Sequence, residues 1–271
     1  MPRIFGGLNG YGYHKDPDGH MATSAHVLLG VAASAPKSYS LKGSVKQILN
    51  QLQTSSCTGQ ATKGAISTRM SFQGIVIPEP SQSGIYKIGR AIDRVPDSNG
   101  ILPSLQDDGA MPNQIIRGIS EWGVPSENVD SFNPSTINDE PDMAEFESAS
   151  HCKLDGAYRI NCSGTRRLDY IKTAISSGYP PCCAVQVDSE FENYNGVGTL
   201  SDPDPNDLLG GHYIYMVAYD TLVNGQMIVE IVNSWGEDWG DYGFARGDEK
   251  FIAGMSDIYV MNVKLRTDTN K

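Results

Sequence analysis

Apolar residues recur at spacings of three to five from Cys57 through Ala61, Ala65 and Ile66 to Met70, which predicts a helix opening at Cys57 with Ser55 and Ser56 available as caps. A second helical period runs through PNQIIRGISEWG, where Ile115, Ile116, Ile119 and Trp122 share a face, Pro112 suits the first turn and Gly123 the stop. TRRLDYIKTAISSG gives a third helix, with Leu168, Ile171, Ala174 and Ile175 as its stripe and Gly178 as its end. Downstream the period shortens to two. CCAVQVDS, YIYMVAYD, QMIVEIVNSW and DIYVMNV are rich in Val, Ile and Tyr and read as strands, and Asn224-Gly225 turns the second into the third as a hairpin. Helices in the first half and antiparallel strands in the second predict an α+β fold, a helical lobe facing a β lobe with a cleft between them. Residues 1–40 are rich in Gly, Pro and Ser with little periodicity, and read as an arm lying on the domain.

Composition narrows the picture. The chain has 271 residues, 39% of them hydrophobic, enough for one large domain or two modest lobes. Its 32 acidic and 21 basic residues give a net charge of −11, which repels a phosphate backbone, so no nucleic acid partner is expected. No stretch approaches the ~20 apolar residues of a membrane span, so no membrane partner is expected either. HVLLGVAASAP has the small residues of a cleavage site, but its lead-in, HKDPDGHMATSAH, is polar and partly acidic, the wrong flank for export. The five cysteines, Cys57, Cys152, Cys162, Cys182 and Cys183, are odd in number and irregularly spaced. That argues against a disulfide framework, and the absence of a CxxC pair argues against structural zinc. Neither a metal nor another cofactor is expected. A reducing, cytoplasmic setting is the simplest reading; a virion-associated or exported form, and a Cys152–Cys162 bridge, stay open.

The candidate chemistry centres on Cys57. A thiol transfers acyl groups well only as thiolate, and a helix N-terminus and a histidine are two devices that lower its pKa. Of the five histidines, His14, His20 and His26 lie in the arm and His151 in a polar connector, whereas His212 follows Gly210-Gly211 and opens a strand. Asn233 lies at the end of the partner strand, so an antiparallel hairpin sets the two side by side. An amide there fixes the imidazole tautomer without adding a buried charge, and Trp235 can cover the bond. Gln51, six residues before Cys57, can join the Cys57 backbone N–H as an oxyanion donor. Each of these residues alone fits a structural role; together they point to catalysis. Other features read as structure. His14 and His20 with Asp16 and Asp18 form a solvated arm rather than a metal site. The run Ser201–Asp207 is a polar loop, with calcium binding left open. Cys182-Cys183 is core packing, and Trp239, Tyr242 and Phe244 are core around Asn233.

The order Gln51, Cys57, His212, Asn233-Ser234-Trp235-Gly236 resembles the papain-like cysteine peptidases, bacterial and phage-type members in particular. The resemblance runs from about Tyr39 to the C-terminus on the anchors NQLQTSSC, GGHYIYMVAYD and NSWGEDWGDYGFARG, with DDGAMPNQIIRGISEWGVPSE similar to the family's central helix. It implies a papain-like two-lobe fold, with an N-terminal helical lobe and a C-terminal antiparallel β-barrel-like lobe flanking the active-site cleft. It divides the chain into an extension over 1–38 and a peptidase domain over 39–271, with the helical lobe at about 50–180 and the β lobe at about 181–265. It implies a Cys-His-Asn thiol endopeptidase acting on peptide or protein substrates, with Cys57 as nucleophile, His212 as acid/base, Asn233 as its orienter and Gln51 as oxyanion donor. Gly109 and Ala110 would offer backbone bonds to an extended peptide. Met111, Pro112, Val185 and Tyr213 would line the main specificity pocket and favour an aliphatic or aromatic side chain two residues before the cut, with the bulk of Tyr213 making that pocket shallow. The sequence departs from papain and the cathepsins at Thr58, Ser55 and Thr54, where they carry tryptophan, glycine and a disulfide cysteine. Two alternatives remain, a catalytically silent papain-fold scaffold such as a phage structural component, and a cell-wall peptide hydrolase. Contact of the arm with the cleft is a further possibility, with the arm either inhibiting or bracing the β lobe.

Overall fold

The computed structural model describes residues 12–15, 23–29, 35–76 and 78–265. The helices are α1 (Ala25–Leu29), α2 (Cys57–Phe72), α3 (Gln82–Ala91), α4 (Pro112–Glu121), α5 (Met143–Ala149), α6 (Gly164–Ser176), α7 (Ser189–Glu192) and α8 (Glu249–Gly254). The strands are β1 (Thr23–Ser24), β2 (Ser38–Ser40), β3 (Cys152–Arg159), β4 (Cys182–Val187), β5 (Gly210–Thr221), β6 (Met227–Val232), β7 (Phe244–Gly247) and β8 (Ser256–Leu265). Among the described residues they form one sheet in the order β1-β3-β8-β4-β5-β6-β7, with β2 paired to β5. Every pairing is antiparallel except β1 with β3. The architecture is the α+β arrangement the periodicities predict, helical in its N-terminal part and a largely antiparallel sheet in its C-terminal part.

The three expected helices form, and their ends follow the expected chemistry. Pro112 opens α4, where the Gln114 side chain accepts the Met111 N–H at 3.0 Å, and Gly123 and Gly178 follow α4 and α6 with φ of 103° and 81°. The β5–β6 hairpin turns through Gly225 at φ 85°. The cap of α2 differs from expectation. Ser56 occupies the N-cap but makes no capping bond; its hydroxyl instead meets Thr54 Oγ1 at 2.7 Å and accepts from Gln60 Nε2 at 3.1 Å.

Helix α2 is buried on nearly every side, which is why its sequence carries small and polar residues where a surface helix would show a stripe. Gly64 lets Tyr215 of β5 lie against the helix, since a Cβ there would come within 2.5 Å of the ring. The buried charges on α2 are compensated: Lys63 reaches Glu127 at 2.6 Å and Gln82 at 2.7 Å, and Arg69 donates to the carbonyls of Ser177 and Gly178 and covers the Tyr179 ring.

Two elements have no counterpart among the expected ones, and one residue expected in the core is not there. Strand β3 lies inside the 50–180 span assigned to the helical lobe and pairs along most of its length with β8; the polar alternation of CKLDGAYR, half-exposed on the sheet, hid the strand. Helix α3, with Ile85 and Ile88 buried and Ser81 capping Gly84 N–H at 2.9 Å, had no counterpart in the reading. Tyr242 is 73% exposed at φ 51°, so only Trp239 and Phe244 of that aromatic trio are core. All five cysteines are free, Cys152 and Cys162 included. Among the described residues no helix is long and apolar enough to cross a membrane, and no cluster of His, Cys, Asp and Glu could hold a metal ion. Asp16, Asp18 and His20 lie outside the described residues.

Candidate active site

Cys57 is the first residue of α2 and is wholly buried. The loop before it is fixed from both sides of the cleft. Gln51 N–H donates to the Ser234 carbonyl at 2.8 Å, and Ser234 Oγ donates to Gln51 Oε1 at 2.8 Å. Gln51 Nε2 gives a proton to the Thr54 carbonyl at 2.9 Å, which turns the amide nitrogen toward the Cys57 loop. Opposite, Asp107 Oδ1 accepts from Ser55 N–H at 2.9 Å and from Tyr86 Oη at 3.0 Å, and Tyr86 Oη accepts from Gly109 N–H at 3.0 Å. Asp107 and Tyr86 were not anticipated from sequence; together they tie the Cys57 loop to the Gly109–Ala110 wall.

On the sheet side, β5 carries His212 and the end of β6 leads to Asn233. His212 Nε2 and Asn233 Oδ1 are 2.7 Å apart. Asn233 Oδ1 also accepts the Ser234 N–H at 2.7 Å, which identifies it as the oxygen and makes Nε2 the protonated ring nitrogen. The basic nitrogen is therefore Nδ1, buried and without a hydrogen-bond partner among the described residues. Trp235 stacks on the imidazole at 4.7 Å and Phe191 meets it edge-on, so the His212–Asn233 bond is shielded from water. The Cys57 thiol lies at the backbone N–H of Tyr213, the residue after His212. The described contacts thus join His212 to Asn233, Asn233 through Ser234 to Gln51, and the Cys57 thiol to the backbone of Tyr213.

The N-terminal arm enters this point. Gly12 accepts the Ala110 N–H at 2.8 Å and His14 N–H donates to the Ala110 carbonyl at 3.2 Å, so Tyr13 bridges Ala110 as a short parallel strand. His14 Nε2 lies 2.7 Å from the Asp108 carbonyl oxygen. Gly12 fits so tightly that a Cβ on it would come within 1.6 Å of the Ser55 carbonyl oxygen. Burial pushes the Cys57 thiol up to about 12; backbone N–H groups of Tyr213, Thr58 and Gly12 pull the other way, and Asp107 adds to the rise. Burial likewise pushes His212 down to about 4 against the opposing pull of Asn233. The helix N-terminus was expected to favour the thiolate. In this covered state desolvation outweighs it, and thiol and imidazole are both neutral at pH 7.

The expected substrate residues fall as follows. Gly109 and Ala110 form the backbone wall, and the extended segment they hold is the chain's own arm. Tyr213 stacks with Tyr13 at 6.2 Å and 10°. Val185 pairs with His212 across β4–β5, and Pro112 is buried at the start of α4. Met111 and Gly109 line a groove of about 350 Å³ together with His14, Arg90 and Gln114.

A family model described as papain family cysteine protease matches residues 35–260, and the chain belongs to that family. An uncharacterised peptidase C1-like protein of Acanthamoeba polyphaga mimivirus is 25% identical over 192 residues, 67% of this chain and 58% of that protein. Pro-cathepsin H of Medicago truncatula is 23% identical over 221 residues, 81% of this chain and again 58% of the relative, so the match spans little more than half the length of either protein. Among solved structures, xylellain, a cysteine protease from Xylella fastidiosa, superposes with a TM-score of 0.77 at 22% identity, covering 93% of this chain and 96% of that one. Digestive procathepsin L 3 of Tenebrio molitor superposes with a TM-score of 0.68 at 20% identity, over 94% of this chain and 77% of that one. At these identities the likeness is one of fold.

Proposed function

We propose that this chain is a thiol endopeptidase held in a covered state by its own arm. Cys57 attacks a peptide carbonyl as thiolate, and His212 takes the thiol proton at Nδ1 and returns it to the leaving amine. Asn233 holds the ring, and Gln51 with the Cys57 N–H stabilises the oxyanion; water activated by His212 then hydrolyses the acyl-enzyme. The observation that carries this reading is the 2.7 Å His212–Asn233 bond under Trp235, with the Cys57 thiol beside the next backbone N–H.

The arm opposes the reaction in two ways. It occupies the backbone wall that an extended substrate would use, and Gly12 lies at the Cys57 sulfur, adding to the burial that disfavours the thiolate. Gly12 turns its N–H to the sulfur, and its carbonyl oxygen accepts from Ala110 N–H. Labelling with a peptidyl epoxide, read by intact mass on the full chain and on protein trimmed within the arm, tests the proposal. A single adduct that forms faster after trimming and is absent in Cys57→Ala is expected, together with hydrolysis of fluorogenic peptides. No adduct on either form would overturn it in favour of a silent scaffold.

A further inference from the structure

The arm reveals a feature of the specificity pocket that its apolar lining conceals. Tyr13 sits opposite Ala110 with its ring stacked on Tyr213 and packed on the backbone of Gly211, where a Cβ would come within 2.6 Å of Tyr13 Cδ1. At the floor its hydroxyl donates to Asp257 Oδ2 and lies 3.1 Å from Ser256 Oγ. Asp257 is 3% exposed, and its other oxygen pairs with Arg159. Its backbone is bound as well, since the Asp257 carbonyl accepts from Tyr213 Oη at 3.2 Å. Asp257 holds a φ of 43°, a conformation that costs most side chains energy and that the surrounding contacts maintain.

From this geometry we infer that Asp257 is a specificity-determining residue, and that the pocket selects tyrosine at the substrate residue that pairs with Ala110. The inference rests on the peptidase reading and deepens it. A substrate strand added at Ala110 in place of the arm sets its side chain in the same pocket, where a phenol reaches the buried carboxylate and a phenyl ring leaves it without that donor. The preference is for a neutral donor. Arg159 already compensates the charge of Asp257, so a lysine or arginine side chain would bring a second cation to a carboxylate that has one. The pocket is thus narrower in its choice than the general aliphatic or aromatic preference expected from its walls.

Two readouts on the full-length chain test this. The first is the rate at which iodoacetamide alkylates Cys57, followed by intact mass. Tyr13→Phe removes only the hydroxyl, and it is expected to raise that rate by roughly tenfold as the arm loosens. In the Asp257→Asn background the same change is expected to do less; an unchanged rate for Tyr13→Phe would overturn the inference. The second empties the pocket with Tyr13→Ala and compares kcat/KM for peptides that differ only at the residue opposite Ala110. Tyrosine is expected to exceed phenylalanine by roughly tenfold or more, and leucine and arginine by more, with the tyrosine advantage reduced by Asp257→Asn. Hydrolysis that favours phenylalanine, leucine or arginine would overturn the tyrosine assignment and leave the peptidase reading intact. No hydrolysis of any peptide, with no epoxide adduct on Cys57, would bring down both.

Discussion

Two buried polar contacts flank the cleft and are built in opposite ways. The His212–Asn233 bond joins residues 21 apart in sequence, placed side by side by one hairpin and sealed by Trp235. The Tyr13–Asp257 bond joins residues 244 apart, one on the arm and one at the start of β8. The hairpin contact is part of the sheet and persists as long as the sheet does. Among the described residues the arm contact belongs to a short segment that meets this wall through two backbone bonds to Ala110, the His14 ring and the Tyr13 phenol, outside the run of paired sheet strands. The lesson, on the proposed reading, is a division of labour: hairpin register fixes the candidate machinery, and a strand from the arm covers it.

The largest effect expected from breaking the fixed side is at His212. In arm-trimmed protein, His212→Ala is expected to lower kcat by roughly a thousandfold or more while near-native circular dichroism is retained. Gln51→Ala follows, with a loss of roughly a hundred- to a thousandfold in kcat, measured with the same peptide. Breaking the detachable side has the opposite sign. Gly12→Val forces a Cβ against the Ser55 carbonyl, and in the full chain it is expected to speed epoxide labelling of Cys57 by about tenfold or more. A rate equal to wild type would mean that the arm does not govern access.

The pH dependence sharpens the comparison at smaller scale. With the arm seated, alkylation of Cys57 is expected to keep climbing beyond pH 9, because burial holds the thiol near 12. Gly12→Val is expected to bring reactivity down toward neutral pH. His212 works on stability. Its folded pKa, about 4, lies below the ordinary 6.5, so the stability linked to its neutral form is complete above pH 6.5 and is lost as pH falls through about 4. Thermal melts of wild type and His212→Gln between pH 7 and 4 check this; wild type is expected to lose more.

Much of the candidate site was legible in the chain. The helix beginning at Cys57, the glycines before His212, the Asn224-Gly225 turn and the NSWG run are local signals, and one hairpin turns two of them into a spatial pair. The fold was legible wherever the period was clean, as in α4, α6 and the β5–β6 hairpin. It was less so in β3, whose residues alternate weakly because the strand is only half covered, and in α2, whose burial on nearly all sides erases a stripe.

The sequence by itself determined which residue types stand at the helix start, at the strand opening and after the hairpin, because those choices follow from backbone period and turn chemistry over short spans. Only the tertiary structure decided that Gly12 and Tyr13 lie against Ala110, that Asp257 forms the floor beneath Tyr213, and that Asp107 with Tyr86 braces the Cys57 loop. Contacts between residues 13 and 257 follow no period along the chain. They arise when β8 is laid between β3 and β4 and the arm is drawn against Ala110, and burial among such contacts pushes the Cys57 thiol up.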